Sequence, residues 1–382
     1  MSTHNLAVIG GDGIGPEVTA SALAAMNVAA DRFGFELLTT DFDLGSEAYL
    51  RTGEALPAAV AGQLRDYDAI LLGAVGDPRV DPGVLERGLI VALRTLFHQS
   101  VNIRPVRLYP GVISPVTEVS SDNCDLVILR ENTEGIYTGG GVMVKDGTPD
   151  AIAIQHSITT VPATSEIVEF GFRMASARRK RLTLCHKKNV LLYTGRLWQE
   201  IVDQIAERYP DVEHDYVHAD AMCQHLILDP GRFDVVVTPN LFGDIISDLG
   251  AVVQGGLGVA ASANFNVSGS APSMYEPVHG SAPDIAGTGR ANPTAAVLSA
   301  ALCLAGLGER EAALTLEAAA ASVLAEGGDK AGQQVNTADV SARIATRVAE
   351  IDVPTTSGSL MQTLASLAPQ HASAGSRLSR SG

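Results

Sequence analysis

The sequence predicts an α/β chain built around a largely parallel sheet. Three observations carry that expectation. Short β-rich apolar runs alternate with Ala- and Leu-rich helical patterns through most of the chain. The first of those runs stops at a glycine cluster, GGDGIG at residues 10–15, where a strand would turn into a helix. With 382 residues, 46% of them hydrophobic, the chain can bury a core as one large domain or two intertwined ones.

Residues 5–9 read as a strand and 16–31 as a helix with Pro16 in its first turn. Strand, helix and strand follow over 35–42, 57–67 and 68–72. Further strands are expected over 126–129, 182–185, 216–218 and 235–238, and helices over 165–177, 194–209 and 241–254. Between 138 and 161, glycines followed by alternating β-branched residues predict an antiparallel arm that pairs with a partner subunit. Residues 255–272, rich in Gly, Ala, Ser and Asn, predict a loop, and helices resume from Asn292. Residues 354–382 hold few large apolar groups to offset ordering entropy, which predicts a disordered tail.

Composition removes several function classes. A formal net charge of −16 repels polyanions, and the short basic run at 178–181 reads as a solvated helix end, so no nucleic-acid partner is expected. No apolar run reaches the roughly 18–20 residues that span a bilayer. The opening MSTHN does not read as a signal peptide. Four scattered cysteines without a CxxC pair suit a reducing compartment and a cytoplasmic location.

Several residues could carry chemistry. The glycine cluster is equally a tight turn or a place of close ligand approach, since its spacing is not GxGxxG. Asp244 and Asp248 lie four apart on an expected helix and share a face, and Asp220 is a third carboxylate. The pair is either an exposed acidic face or a site for Mg2+ or Mn2+, which prefer oxygen ligands. Arg94, Arg104 and Arg130 offer planar forks for carboxylates, or are surface ion pairs. Lys187, following an apolar strand, and Tyr137 are candidate proton carriers.

Taken together these stretches resemble the β-decarboxylating dehydrogenases, the family of 3-isopropylmalate, isocitrate, homoisocitrate and tartrate dehydrogenases. The resemblance runs over about 5–347. It rests on GDGIGPEV at Gly11, NIRP at Asn102, RENTEGIYTG at Arg130, NLFGDIISDLG at Asn240 and EPVHGSAPDIAG at Glu276. It implies a two-domain fold with a mixed, mostly parallel sheet and the active site in the interdomain cleft. One discontinuous, cofactor-side domain would comprise 1–100 plus 251–353, and residues 101–250 would form the dimerisation and catalytic domain.

The resemblance also implies roles. Arg94, Arg104 and Arg130 would hold the malate carboxylates. Asp244 and Asp248, with Asp220 from the other subunit of a homodimer, would bind the metal, and Asp220 would also border the substrate. Lys187, again from the other subunit, would be the base on the C2 hydroxyl, and Tyr137 would protonate the product. NAD would lie along Glu276, His279, Gly280, Ser281, Ala282, Asp284 and Asn292, with Asp284 favouring a 2′-hydroxyl over a 2′-phosphate. The substituent of the malate would be read by the segment before Arg94. Where isocitrate enzymes place Ser and Asn, this chain has Gly88 and Ile90, and Leu89, Ile90 and Val91 offer an apolar wall suited to an isopropyl group. The expected activity is NAD-dependent oxidative decarboxylation of 3-isopropylmalate in leucine synthesis. The same chemistry on tartrate, D-malate, homoisocitrate or another 3-alkylmalate is the alternative. A phosphoryl- or prenyl-transfer enzyme would need a P-loop lysine or a denser Asp cluster, and neither is present.

Overall fold

The computed structural model describes residues 2–327, 336–355 and 358–369. The chain opens with β1 (Thr3–Gly11), α1 (Gly15–Phe33), β2 (Glu36–Asp41), α2 (Ser46–Thr52), α3 (Ala58–Leu64) and β3 (Ala69–Ala74). A π-helical turn over Glu86–Val91 runs directly into α4 (Ala92–Leu96). Next come β4 (Val101–Arg107), β5 (Asp125–Glu131), β6 (Gly141–Val144), β7 (Ile152–Gln155) and α5 (Val161–Ala177). They lead to β8 (Arg181–His186), α6 (Leu192–Ala206), β9 (Glu213–His218), α7 (Ala219–Leu228), β10 (Val235–Thr238) and α8 (Asn240–Val253). The chain continues through β11 (Ala261–Phe265), β12 (Ser273–Pro277), α9 (Thr294–Gly306), α10 (Arg310–Ala325), α11 (Thr337–Glu350) and α12 (Leu360–Leu367).

Among the described residues, ten strands form one sheet in the order β2-β1-β3-β12-β11-β4-β5-β10-β8-β9. The two flanks are parallel and the three pairings at the centre, β12–β11, β11–β4 and β4–β5, are antiparallel. The sheet is therefore the mixed one expected. Its strands sort at the β11–β4 seam, with residues 3–74 and 261–277 on one side and 101–238 on the other. Apolar packing is continuous across that seam. Val8 and Leu71 belong to the same buried cluster as Leu129 and Val237, and the rings of Phe170 and Phe265 lie 5.6 Å apart. At its centre is α9, in which every residue is buried, as befits a helix apolar on all sides.

Three expectations are corrected. Residues 255–272 are not simply a loop, because 261–265 form β11, a fully buried strand paired on both edges. Its Ala-Ser-Ala-Asn-Phe sequence has no β-branched residue, so its conformation comes from its neighbours rather than from local propensity. The tail expected to be disordered over 354–382 contains α12, capped by Ser359 and burying Leu360, Met361 and Leu364. Residues 370–382 lie outside the described residues. The basic run at 178–181 is not wholly solvated either. Burial would lower the Arg178 guanidinium, but its ion pairs with Asp125 (2.9 Å) and Asp234 (2.8 Å) hold it above its ordinary range.

The strands β6 and β7 stand apart as a two-stranded antiparallel hairpin with every residue exposed, Val142, Met143, Ile152 and Ile154 among them. No helix of the described residues is long and apolar enough to cross a membrane.

Candidate active site

The site is built across the seam. Arg104 points from β4, Arg130 from the end of β5, Arg94 from α4 and Glu276 from β12, while α8 carries Asp244 and Asp248. Arg130 is held most firmly. Its Nε and Nη2 donate to Asn240 Oδ1 at 3.0 and 2.7 Å, and its Nη1 donates to Asp244. The Tyr137 ring lies 5.1 Å from the same guanidinium, and its hydroxyl donates to Asp244 Oδ2 at 2.7 Å. Gly243 allows this packing, because a Cβ there would lie 2.5 Å from Arg130 Cγ.

The electrostatics describe a cationic pocket facing a carboxylate pair. Burial, together with Arg130 and Arg94, pushes Arg104 down to about 10. Burial and Arg94 likewise lower Arg130. Burial raises the Asp244 carboxyl, but Arg130, the Tyr137 hydroxyl, Arg104 and Arg94 outweigh it and hold the group below the ordinary carboxylate range. Asp248 moves the other way, raised by burial and by Asp244 against the pull of Arg104, whose Nη1 stands 3.7 Å away. Tyr137 is raised by burial and by its bond to Asp244, so its hydroxyl keeps its proton. Arg94 donates from Nη2 to Glu276 Oε1 at 3.0 Å, while its buried Nε has no hydrogen-bond partner. A buried guanidinium N–H without a partner is costly and suits an anion that would complete it.

Not every expected residue joins this cluster. Lys187 Nζ donates to Asp220 Oδ1 at 2.5 Å, and that bond holds the exposed Asp220 carboxyl below its ordinary range. Both follow the C-terminal ends of β8 and β9, and the strand order β5-β10-β8-β9 fixes how far away that is. At a strand spacing of about 4.8 Å, β8 stands about 10 Å and β9 about 14 Å from the strand of Arg130. Among the described residues no three acidic, His or Cys side chains gather into a metal-binding cluster, so Asp220 does not join Asp244 and Asp248 within one chain.

Leu89 is a correction. Leu85, Leu89, Leu93 and Phe97 recur at intervals of four and are all buried in the core beneath the sheet, so Leu89 is not part of an accessible wall. Ile90 and Val91 remain partly exposed on the π-helical turn. Gly88 packs tightly, since a Cβ there would meet Ala55 Cβ at 2.8 Å.

The stretch from 276 to 292 divides by role. Glu276 is buried and turned to Arg94 and Asn264 rather than to open space. His279 Nδ1 lies 3.0 Å from Gly280 O, its buried Nε2 has no partner, and burial lowers its pKa. Beside it Gly280 borders open space, Ala282 has φ +39°, and Asp284 is exposed. The Asn292 Oδ1 accepts from Thr294 N at 3.0 Å. Ser281 O accepts from Ile14 N at 2.8 Å, which docks the glycine cluster under this loop. A Cβ on Gly13, at φ +58°, would stand 2.0 Å from that oxygen, so the cluster serves close packing. Its Asp12 carboxylate is used by Ser46 N, Ser46 Oγ and Gly76 N.

Sequence reasoning missed the asparagines. Asn240 anchors Arg130, and Asn102, Asn132 and Asn264 form a buried polar cluster beside Arg104. Asn102 and Asn240 stand inside motifs quoted for the resemblance, but nothing local marks Asn264, which lies in the stretch read as a loop.

The geometry agrees with the comparisons. The profile of the isocitrate/isopropylmalate dehydrogenase family matches residues 5–350. A 3-isopropylmalate dehydrogenase of Thermobifida fusca is 52% identical over 349 residues, 91% of this chain and 98% of the relative. That of Corynebacterium glutamicum is 50% identical over 340 residues, 89% and 98% of the two chains. The crystal structure of isocitrate dehydrogenase from Methylococcus capsulatus superposes with a TM-score of 0.80 at 35% identity, covering 91% of this chain and all of that one. The protein is thus a decarboxylating dehydrogenase, and the chain belongs to the isocitrate/isopropylmalate dehydrogenase family.

Proposed function

We propose that this enzyme catalyses the NAD-dependent oxidative decarboxylation of 3-isopropylmalate to 4-methyl-2-oxopentanoate, a step of leucine synthesis, with Mg2+ or Mn2+. The observation that carries it is the trio of buried arginines around Asp244, with Arg94 Nε left unpartnered. Three buried guanidiniums gathered together, with Arg104 and Arg130 held below their ordinary range, are costly without anions, and the two carboxylates of a malate would supply them.

The third substituent is read by the π-helical turn. Ile90 and Val91 present apolar surface there, and the close approach of Gly88 to Ala55 leaves little room for a polar side chain that could hold another carboxylate. That favours an alkyl substituent, in line with the names of the relatives.

Asp244 and Asp248 fit a hard divalent cation. They are oxygen donors on one helix face, and Asp248 is raised partly by Asp244, a repulsion that a cation would relieve. When bound, such an ion supplies Lewis acidity at the substrate oxygens. The unpartnered His279 Nε2, the open space at Gly280 and the exposed Asp284 fit NAD, the hydride acceptor. The acid at 284 accepts from a ribose 2′-hydroxyl and repels a 2′-phosphate.

The chain's own residues do the rest. The arginines hold the carboxylates and exclude competing orientations. Lys187 takes the C2 hydroxyl proton, and Tyr137 returns a proton to the carbon that loses CO2. Because Lys187 and Asp220 lie strands away from Arg130, we assign them to the neighbouring site of a homodimer. Support comes from an exposed apolar stripe on α8, Leu241, Ile245 and Val252, bordering the acid pair, and from Leu228 on α7, 73% exposed. The apolar β6–β7 hairpin offers the arm for such a pairing. Buried, unpaired Cys124, Cys185 and Cys303 support a cytoplasmic location.

The test is NADH formation by the purified protein with Mg2+ or Mn2+ on 3-isopropylmalate, D-malate, tartrate, isocitrate and homoisocitrate, repeated with NADP. The expected outcome is a preference for 3-isopropylmalate and NAD. Preference for a smaller or more polar acid sinks the substrate assignment and leaves the chemistry standing. Equal or faster turnover with NADP sinks the role of Asp284.

A further inference from the structure

We infer that Asn264 is a positioning residue for the substrate arginines, the middle of a buried relay that sets where Arg94 and Arg104 stand relative to each other. The inference rests on reading the pocket as a site for a substituted malate. Asn264 is fully buried on β11. Its Oδ1 accepts from Asn102 Nδ2 at 3.0 Å and from Asn132 Nδ2 at 2.9 Å. Its Nδ2 donates to Glu276 Oε1 at 2.7 Å and, at 3.5 Å, to Met274 O. On one side, Asn102 Oδ1 accepts from Arg104 Nε at 2.6 Å. On the other, Glu276 Oε1 accepts from Arg94 Nη2 at 3.0 Å. The chain of contacts is therefore Arg104–Asn102–Asn264–Glu276–Arg94, crossing the β11–β4 seam.

The direction of every bond in this relay is forced from its ends. Arg104 can only donate, so Asn102 must turn its oxygen to it and its amide nitrogen toward Asn264. The Glu276 carboxylate can only accept, so Asn264 must turn its nitrogen to it and its oxygen back toward Asn102. A side chain at 264 must therefore accept on one side and donate on the other, within a strand that leaves no space for adjustment. An isosteric carboxylate could accept from Asn102 but would face Glu276 with a second negative charge. With Arg94 and Arg104 contributed from opposite sides of the seam, the relay fixes the span that a dicarboxylate must bridge.

The experiment is a double-mutant cycle with Asn264→Asp and Glu276→Gln, followed by steady-state kinetics on 3-isopropylmalate and melting curves for each variant. Asn264→Asp should raise the KM for 3-isopropylmalate about tenfold, with kcat within about threefold and the KM for NAD within about twofold, the scale of one charge-assisted hydrogen bond. In the double variant the new amide at 276 donates to the new carboxylate at 264, and the KM should return to within about threefold of wild type. Additive losses, or a fall in kcat at unchanged KM, would overturn the positioning role. If Asn264→Asp does not fold, Asn264→Ser serves, because its short hydroxyl cannot bridge both partners. An unaltered KM in that folded variant also overturns the inference. Wild-type enzyme that turns over none of the malates would instead defeat the functional reading, and the relay's role with it, before any variant is made.

Discussion

His186 lies at the end of β8, fully buried between the rings of Trp198 and Phe242, with Nδ1 accepting from the backbone N–H of Lys187 at 2.8 Å. It therefore helps to shape the turn that presents Lys187. Burial pushes its pKa down to about 4. Above the unfolded value of about 6.5 both states are neutral and the contribution of the group to stability is fully present. As pH falls below 6.5 the unfolded chain takes the proton first, and the contribution is lost progressively through about 4. The loss amounts to about 3 kcal/mol across that window, to order of magnitude. Urea unfolding of wild type between pH 7 and 4 should lose correspondingly more stability than His186→Asn, whose amide oxygen can still accept from Lys187. Parallel profiles for the two proteins would remove His186 as a source of acid sensitivity.

Among the elements, α12 lies beyond the family match, which ends at residue 350. It packs on α9, α10 and α5, so it touches elements from both sides of the seam. Leu360 and Met361 also line the small space over Pro105, Val127 and Ala261, on the strands at the seam itself. The helix is short and would not persist in isolation, so its order reflects the apolar side chains it buries. Leu364→Ala removes a fully buried side chain and should cost about 2–5 kcal/mol, read from the urea midpoint. An unfolding free energy within about 0.5 kcal/mol of wild type, the scatter of ordinary surface substitutions, would mean that α12 docks without contributing to stability.

At the scale of the whole molecule, the separation of Lys187 and Asp220 from Asp244 is set by strand order, and the symmetric dimer proposed above would bring them together. Shared sites make a sharp prediction. Lys187→Ala and Asp248→Asn should each be nearly inactive as homodimers. Unfolded together and refolded, they should recover about a quarter of wild-type activity, since half the dimers are mixed and each mixed dimer has one intact site. No recovery in refolded, folded mixtures would place Lys187 in the same chain's site. Sedimentation of the wild type as a monomer would count equally against sharing.

How much was legible in the chain depends on whether local chemistry settled it. Asp244 and Asp248 could be read as neighbours because a spacing of four on a helix permits nothing else. The alternation of apolar runs foretold an α/β chain with a largely parallel sheet, and its mixed character came only from the family resemblance. The β11 strand was not legible, because Ala-Ser-Ala-Asn-Phe is extended only through the ladders on both its edges. Leu89 was misplaced for a related reason. Its spacing with Leu85, Leu93 and Phe97 marks it as core, yet the π-helical turn decides that Ile90, and not Leu89, is the side chain left accessible. Sequence alone determined which groups this protein has that suit carboxylates and proton transfer. Tertiary structure decided which of them meet: strand order held Lys187 and Asp220 away from the arginines, and a relay of buried asparagines joined Arg94 to Arg104. Such contacts join residues as far as 182 positions apart, and no local pattern encodes a distance of that kind.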